Sequence, residues 1–465
     1  MLFNILSNTL YFTGGQAINI SLPVEIHSGI TVLSGPNGAG KSTFAHILEK
    51  GRNFRTNNIV STTRKKPVVR CLEFNDVHSW TGMSVGYYQQ RYEAGMNDEV
   101  PTVANVLGPL GSSLVFTRLC ARLGLNEALN KKINFLSSGE LRKLLVINAL
   151  CDMPDLLIID NPYIGLDSAS KTALNEALKE LRDQGQSIML ILSDIAEAPD
   201  FTDNFLYADS LTISATVPVG ITTPRTYKPF PFESRGQSID GEEIARMEKC
   251  KVSYGRTVIL DNVNWTIREG ERWSLSGPNG SGKSTLLSLI CADNPKSYSN
   301  NISIFGRRRG TGESIWDIKR HIGYVSPEIQ LHFHGSGTVE HIVANGLNDT
   351  VGLYVKPTAE QLRKASIWLS HFGIGHLADR QFRTLSAGER QLSLIARSLI
   401  KEPKLLILDE PMHGLDTDNR VLVESTIHDF LENHPSAAFV MVTHNPEELP
   451  SSITHHFKLS HHAPE

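Results

Sequence analysis

The hydrophobic pattern of this chain is dominated by short apolar runs, each followed closely by glycine or by acidic residues. Runs of this length predict strands that are buried on both faces, as in the central parallel sheet of an α/β fold. The predicted strands fall into pairs, Ile30–Ser34 with Arg272–Ser276, Leu156–Asp160 with Leu405–Asp409, and 187–192 with 437–442. Each half of the chain therefore repeats the same order of elements.

This pairing of strands reflects an internal duplication of the sequence. Each half has a Gly-Pro-Asn-Gly-x-Gly-Lys-Ser-Thr loop after its first core strand, then a Leu-Ser-x-Gly-Glu pentapeptide, then an apolar run that ends in aspartate. The distance from Ser137 to Asp160 equals that from Ser386 to Asp409, 23 positions in both cases. Motifs repeated in the same order at the same spacing indicate two copies of one domain.

A proline-rich stretch separates the two copies. Between Pro218 and Pro231 the prolines remove backbone donors and fix φ, so neither a helix nor a central strand is expected there. The predicted organisation is a first domain at 1–216, a linker at 217–244 and a second domain at 245–465. Each domain is expected to combine a parallel core sheet, an antiparallel β subdomain and a helical subdomain that leads to the pentapeptide.

Composition narrows the class of protein. The formal net charge of −4 gives no nucleic-acid signature, and no apolar stretch reaches the roughly 18 residues that a membrane-spanning helix needs. The five cysteines are scattered and form no CxxC pair, which favours free thiols in a reducing compartment over disulfides or a structural metal. We therefore expect a cytoplasmic globular protein, for which any work at a membrane requires separate subunits.

The two glycine-rich loops predict ATP binding. A GxxxxGK[ST] loop after a strand turns consecutive backbone N–H groups toward phosphate oxygens, and the helix behind it adds its positive dipole end. We expect Lys41 and Lys283 to neutralise the β- and γ-phosphates, and Ser42 and Ser284 to ligate Mg²⁺. The predicted nucleotide-binding residues of the loops are Gly35, Pro36, Asn37, Gly38, Ala39, Gly40, Lys41, Ser42 and Thr43 in the first half, and Gly277, Pro278, Asn279, Gly280, Ser281, Gly282, Lys283, Ser284 and Thr285 in the second.

An aromatic residue precedes each loop lysine by the same interval. Phe12 and Tyr254 each lie 29 positions upstream, and a ring at that point could stack on adenine or serve as a core residue. The matched spacing favours stacking, more so for Tyr254. The histidine pairs at 455–456 and 461–462 are interpreted as an exposed tail, because no acidic or cysteine partner lies at ligand spacing.

The pentapeptides, together with the other motifs, resemble those of the ATP-binding-cassette family over nearly the whole chain. The resemblance implies head-to-tail pairing of the two cassettes within the chain, with each ATP held between the phosphate loop of one cassette and the pentapeptide of the other. Ser137, Gly139, Ser386 and Gly388 would then bind ATP, and closure would depend on ATP. The tandem arrangement is similar to that of the molybdenum-transport type of double cassette. Helices are expected at 141–151 and 390–399, after the pentapeptides.

The second half carries most of the residues that ATP hydrolysis requires. Asp409 is expected to hold Mg²⁺, Glu410 to act as general base or to position water, and His444 to contact the γ-phosphate and the water. The Gly414-Leu415-Asp416 turn is expected to communicate across the pair of cassettes.

The first half departs from this set at two positions. Asp160 is retained as a metal ligand, but Asn161 replaces the glutamate, and Ser193-Asp194 replaces threonine-histidine. Asparagine cannot accept a proton at neutral pH, and Asp194 would repel a γ-phosphate unless it is turned away. We therefore predict one competent ATPase site and one degenerate site.

The family also places a glutamine after the Gly-Tyr strand, where it contacts Mg²⁺. Gln90 is the corresponding residue in the first half, but Pro327 occupies that position in the second. Proline cannot ligate a metal through its side chain. Glu328 is one substitute, Gln330 is a weaker one, and a third alternative is that the contact is missing and turnover is slow.

Two classes of function fit these residues. In the first, the chain is the energy-coupling ATPase of a transport system, docked on membrane permease subunits and moving a solute such as molybdate or another oxyanion. In the second, it is a non-transport ATP switch, as in ABC-F translation factors, repair-associated ATPases or nucleotide sensors. The short proline-rich linker and Asn161 argue against an ABC-F protein, and the absence of zinc-binding cysteines argues against the repair type.

Overall fold

The computed structural model of the protein describes residues 3–460 apart from 7, 12–16, 21–22, 51–58, 62–66, 73–100, 108–113, 123, 134–135, 137, 152–153, 164–165, 167, 216–228, 233–240, 255–256, 279, 328, 330–336 and 349–355. The chain forms two compact units. One comprises Met1–Ser84, Glu99–Arg225 and Gly414–Asp418, and the other consists chiefly of Thr226–His413 and Asn419–Glu465.

The first unit is built on a sheet with a parallel centre. Its strands, in spatial order, are Asn8–Tyr11, Ala17–Ile20, Thr212–Ser214, Asn204–Asp209, Ile30–Ser34, Ser187–Ile191, Leu156–Asp160 and Val69–Leu72. The last five pair in parallel. Alternate residues of Leu156–Asp160 join two different hydrophobic clusters, so that both faces of the sheet are covered. A small antiparallel sheet contains Val24–Ile26, Phe3–Ile5 and Ile59–Ser61.

The helices of the first unit follow the strands in alternation, which is the connection that a parallel sheet requires. The α-helices are Lys41–Lys50, Val103–Leu107, Leu114–Arg122, Ser138–Cys151 and Ser168–Asp183, with 3₁₀ turns at Glu127–Asn130 and Ile195–Glu197. The helix after the first pentapeptide begins at Ser138, three residues before its predicted start.

The second unit separates its parallel and antiparallel strands into two sheets. The parallel sheet has the order Ile322–Val325, Leu405–Asp409, Ala438–Val442, Arg272–Ser276 and His455–Lys458, and the antiparallel sheet has the order Thr257–Arg268, Glu243–Tyr254, Asn301–Ile304 and Arg307–Arg308. The predicted fold class is thereby confirmed, and the predicted core strands are found to within one residue at each end.

The prediction of an exposed tail at His455 and His456 is wrong with regard to the backbone, which forms a strand. These residues lie on a strand that pairs in parallel with Arg272–Ser276, and His456 Nδ1 lies 2.6 Å from the Ser274 hydroxyl. The strand completes the sheet by backbone hydrogen bonds, which do not depend on an apolar sequence. The pair at 461–462 lies outside the described residues.

The α-helices of the second unit are Lys283–Ile290, Ile315–Lys319, Val339–Ala344, Ala359–His371, Ala387–Leu399 and Thr417–Asn433, and its 3₁₀ turns are Pro295–Ser299, Asn345–Leu347, Gly375–Leu377, Phe382–Thr384 and Pro446–Glu448. The helix predicted at 390–399 begins at Ala387 instead. Its start is fixed by a capping box, in which the Ser386 side chain accepts from the Glu389 N–H and Glu389 accepts from the Ser386 N–H.

Within the predicted linker 217–244 the structure describes residues 229–232 and 241–244, and Glu243 and Ile244 already belong to the strand Glu243–Tyr254. Residues 229–232 have no regular structure and pack on the second unit through two aromatic side chains. Phe230 stacks on Trp368, with ring centroids 3.8 Å apart, and its N–H donates to Asp429. Phe232 contacts Trp368 and Phe430 edge-on. The linker therefore contacts both Ala359–His371 and Thr417–Asn433.

Three expectations from composition can be compared with the structure of the described residues. None of their helices combines the length and the apolar character that a bilayer crossing needs. Their cysteines, at positions 71, 120, 250 and 291, are free thiols, and burial raises the pKa of Cys250 to about 11. No metal-holding cluster of histidine, cysteine and acidic residues occurs in this part of the chain.

Candidate nucleotide-binding and catalytic sites

Both phosphate loops have the same backbone shape. Gly35 and Gly277 have φ values of 145° and 151°, and an added Cβ would lie 2.0 Å from the Ala208 carbonyl oxygen at Gly35 and 2.6 Å from that of Leu459 at Gly277. Glycine is therefore required on two grounds, the backbone angle and the close approach of the neighbouring strand. The loop in each unit is pressed against the end of a core strand, and its helix begins directly at the lysine.

The loop lysines fold back over their own loops. The Lys41 ammonium donates to the carbonyls of Gly35 and Pro36 at 2.5 and 2.8 Å, and the Lys283 ammonium donates to those of Gly277 and Pro278 at 2.7 and 3.1 Å. Lys41 is only 7% exposed. Each ammonium group is therefore held against the carbonyl groups at the start of its own loop.

The predicted metal ligands of the first unit meet directly. The Ser42 hydroxyl donates to one carboxylate oxygen of Asp160 at 2.5 Å, although the residues are 118 positions apart in sequence. Hydroxyl and carboxylate oxygens are the hard ligands that Mg²⁺ prefers. In the second unit Asp409 ends its strand and is 7% exposed, and Ser284 lies in the first turn of the helix that follows the loop.

The residues that follow the two strand-terminal aspartates have the same backbone geometry but different chemistry. Asn161 and Glu410 both have φ of 52°, and their N–H groups donate to Ile191 and Val442 of the adjacent strand, both at 2.9 Å. A positive φ is uncommon outside glycine and costs free energy. The turn is therefore retained in both units, whereas a carboxylate is present only in the second.

Glu410 is buried between two histidines. Its side chain is 6% exposed, with His413 Nε2 3.0 Å from Oε2 and His444 Nε2 3.6 Å from Oε1. Burial would raise the pKa of Glu410, but the nearby His413 and His444 side chains outweigh this effect, and the pKa lies below the ordinary value. The Lys283 ammonium acts in the same direction. These neighbours therefore favour the ionised form of the carboxylate.

Asn161 is held by hydrogen bonds that occupy both ends of its amide. Its Nδ2 donates to Asp160 Oδ1 at 2.8 Å, and its Oδ1 accepts from the Ser193 hydroxyl at 3.3 Å. Asp194 is turned into the following 3₁₀ turn, where it accepts from the N–H of Ala196 at 2.9 Å. Each of these polar side chains is thus hydrogen-bonded, and none of them is an imidazole.

The segment Gly414–Asp418 belongs to the first unit, where it meets the phosphate loop. The Asn37 N–H donates to Asp416 Oδ2 at 2.7 Å, and the Asn37 amide donates to the Gly414 carbonyl at 3.1 Å. The Ser193 hydroxyl lies 3.2 Å from this carbonyl and 3.3 Å from the Asn161 amide oxygen, so that its single proton is shared between two acceptors. The segment therefore touches two elements of the first nucleotide site, its loop and the strand end beside Asn161.

In the second unit the pentapeptide forms the start of a helix. Ser386 is the N-cap of Ala387–Leu399, and its hydroxyl donates to Glu389 at 2.8 Å. Gly388 is buried. The N-terminal end of this helix, with its positive dipole, thus coincides with the residues predicted to bind phosphate.

Tyr254 is held by a residue that the motifs did not indicate. Asn294, which is 1% exposed, donates to the Tyr254 hydroxyl at 3.0 Å and to the Ser288 hydroxyl at 3.2 Å. Ser288 lies on the helix after the phosphate loop, so the ring is tied to the element that positions the lysine. No spacing rule links an asparagine to a tyrosine 40 positions away, so this contact could not be predicted from the sequence.

Several predicted residues lie outside the described part of the chain: Phe12, Gln90, Ser137, Asn279, Glu328 and Gln330. Gly139 lies in the helix Ser138–Cys151. Pro327 follows the strand Ile322–Val325, as the sequence predicts. His413 and Gln391, which contact the Glu410 loop, were not among the predicted site residues.

Two α/β units, each with a glycine loop running into a helix and an aspartate at the end of a neighbouring strand, define nucleotide-binding cassettes. The chain belongs to the ABC transporter family, which matches over residues 19–164 and 260–413. It is a tandem ABC ATPase, and the domains of that class bind ATP.

Among individual proteins, the chain is similar to the ABC transporter ATP-binding protein ModF of Escherichia coli, with 37% identity covering 73% of this chain and 72% of ModF. This similarity confirms the narrower resemblance to a double cassette. An uncharacterised ABC transporter ATP-binding protein of Schizosaccharomyces pombe is 30% identical over 90% of both chains. A solved structure described as ribosome-bound archaeal Pelota and ABCE1 shares the fold, with a TM-score of 0.57 and 19% identity over 94% of this chain and 74% of that one.

Proposed function

We propose that this protein hydrolyses ATP at one of two nucleotide sites and retains ATP at the other. The observation that carries the proposal is the contrast between Glu410 and Asn161, which share one backbone geometry. Glu410 presents a carboxyl group between two histidines, whereas the Asn161 amide is bonded to Asp160 and Ser193. Only the first arrangement offers a group that can take a proton from water.

Each site is proposed to use a phosphate loop from one cassette and a pentapeptide from the other. The competent site combines Lys283, Asp409, Glu410 and His444 with Ser137 and Gly139. The degenerate site combines the loop around Lys41 with Ser386 and Gly388. The helix N-terminus at Ser386 supports this assignment, because the positive end of a helix dipole suits a bound phosphate. The proposed cassettes are 1–216 and 245–465, joined by the linker.

The residues present suit Mg²⁺. Ser42 with Asp160, and Ser284 with Asp409, provide hydroxyl and carboxylate oxygens, and Gln90 is proposed as a further ligand in the first cassette. When bound, the metal neutralises negative charge on the β- and γ-phosphates. The loop amides and the lysine would orient the triphosphate. Glu410 would hold a water molecule and accept a proton from it. His444 contributes a donor toward the γ-phosphate.

The role of this ATPase is proposed to be energy coupling in a transport system. The support is the similarity to ModF, which is named an ABC transporter ATP-binding protein. Membrane permease subunits would then be its partners. Purification of the native chain from detergent-extracted membranes tests this role. A transport subunit should co-purify with integral-membrane proteins. Co-purification with ribosomes instead would contradict the transport role.

The proposed difference between the two nucleotide sites is tested by identifying the nucleotide that remains bound after many turnovers. Wild-type protein is incubated with labelled ATP and Mg²⁺, separated quickly from free nucleotide and denatured. We expect about one intact ATP retained per chain, because an amide in place of a general base lowers the rate by about 100-fold or more. Complete conversion of all bound nucleotide to ADP would contradict the proposal, as would the absence of any turnover.

A second test concerns the adenine contact at Tyr254. Replacing Tyr254 with alanine is expected to raise the KM for ATP by about 5- to 100-fold, since stacking on an aromatic ring contributes about 1–3 kcal/mol. Tyr254→Phe is the matched control, because it keeps the ring and removes only the hydroxyl bonded to Asn294. Its KM should stay within about threefold of wild type. An unchanged KM in Tyr254→Ala would show that the ring is a core residue.

A further inference from the structure

We propose that His413 is a positioning residue for ATP hydrolysis and holds the Glu410 carboxylate in its working orientation. The inference deepens the proposed function and rests on it. His413 Nε2 lies 3.0 Å from Glu410 Oε2, closer than His444 lies to the other oxygen, and the Glu410 side chain is 6% exposed. A buried carboxylate is unfavourable without a partner. Neither imidazole meets hydrogen-bond geometry with Glu410, and His413 is the nearer of the two as an ion-pair partner.

The loop that carries His413 is anchored, so that the contact is fixed by the fold. The His413 N–H donates to the Glu410 carbonyl at 3.3 Å. The amide of Gln391, a residue 1% exposed on the helix Ala387–Leu399, donates to the Pro411 carbonyl at 2.9 Å. Met412, the residue before His413, is 3% exposed. With this buried neighbour and the Gln391 contact, His413 has little freedom to leave the carboxylate.

His444 is proposed to contact the γ-phosphate, so a second histidine is better placed to orient Glu410. At 3.6 Å, His444 is too far from Glu410 for a strong hydrogen bond. If His444 serves the nucleotide, the carboxylate needs another group to fix its orientation. His413 meets the opposite oxygen, Oε2, and leaves Oε1 facing His444. His413 can therefore orient Glu410 while His444 contacts the γ-phosphate.

The duplicated half provides an internal comparison. Both loops continue with Gly-Leu-Asp, which aligns His413 with Ile164. The first half thus has Asn161, Ile164 and Asp194 where the second has Glu410, His413 and His444. Isoleucine has no group that can pair with a carboxylate, and in that half there is no carboxylate to hold. The presence of the imidazole in the half that has the glutamate is what a positioning role predicts.

The test compares kcat and KM of the full-length chain with those of His413→Ala and His413→Gln. We expect kcat of His413→Ala to fall by about tenfold or more while the KM for ATP stays within about twofold, because a misplaced base slows chemistry without weakening binding. Glutamine keeps an N–H donor near the carboxylate and should restore part of kcat. In a Glu410→Gln background, His413→Ala should cause no further loss, since the two residues act as one unit.

A matched control is available at a second histidine–glutamate pair. His434 Nε2 lies 3.5 Å from Glu402, and neither residue belongs to a nucleotide-binding motif, so His434→Gln should leave kcat unchanged. The inference is overturned if His413→Ala keeps the wild-type kcat, if only its KM changes, or if its loss adds fully to that of Glu410→Gln. Failure of the proposed function would give different results. The wild-type protein would not turn over ATP, or Glu410→Gln would remain active.

Discussion

Replacing Glu410 with glutamine is expected to lower ATP turnover by about 100-fold or more, the range in which a positioned general base contributes. The amide has nearly the shape of the carboxylate and fits the same buried position, but it cannot accept a proton from water. ATP binding should persist, because the loop lysine Lys283 and its backbone amides are untouched. Steady-state phosphate release and equilibrium binding of a fluorescent ATP analogue measure the two effects separately.

Two variants make this result specific to the second cassette. Asn161→Ala changes the matching residue of the first cassette and should alter turnover by less than about twofold, since it removes no proton acceptor. Glu402→Gln removes a carboxylate that pairs with His434 elsewhere in the same unit and should also remain active. Near wild-type activity in Glu410→Gln, or a comparable loss in Asn161→Ala, would show that the competent site has been assigned to the wrong cassette.

Replacing Trp368 with alanine is expected to lower the free energy of unfolding of the second unit by about 3–5 kcal/mol, as for other large aromatic residues removed from a core. Trp368 is 4% exposed and stacks on Phe230 of the linker at 3.8 Å and on Phe372 at 6.0 Å. Its removal leaves a cavity and frees the linker ring. Urea unfolding followed by far-UV circular dichroism gives the change, since that signal does not depend on the tryptophan itself.

The adjacent Ile367 supplies the control for this measurement. It lies on the same helix but is 47% exposed, so Ile367→Ala should cost less than about 1 kcal/mol. Trp368→Phe should recover part of the lost stability, because a smaller ring still packs on Phe230. A Trp368→Ala protein as stable as wild type would mean that the aromatic cluster of linker and helix contributes little to the unit.

The backbone of both cassettes could be predicted largely from the sequence. Apolar runs and glycine loops place the core strands to within one residue, because burial on both faces requires continuous apolar residues and a phosphate loop requires glycine. The helix starts were less accurate, as at Ala387, because the capping box at Ser386 and Glu389 extends the helix into the pentapeptide. His455–Lys458 was missed as a strand, since edge pairing relies on backbone hydrogen bonds.

What the sequence determined by itself is the family, the duplication and the loss of one glutamate, because these depend on residue types at fixed spacing. Only the tertiary structure decided which side chains meet: the Asn161 amide with Asp160, His413 with Glu410, Asn294 with Tyr254 and Phe230 with Trp368. The physical reason is that hydrogen bonds and ring contacts act over a few ångströms in space. Linear spacing specifies a strand or a loop, but it does not specify which side chain a folded neighbour will face.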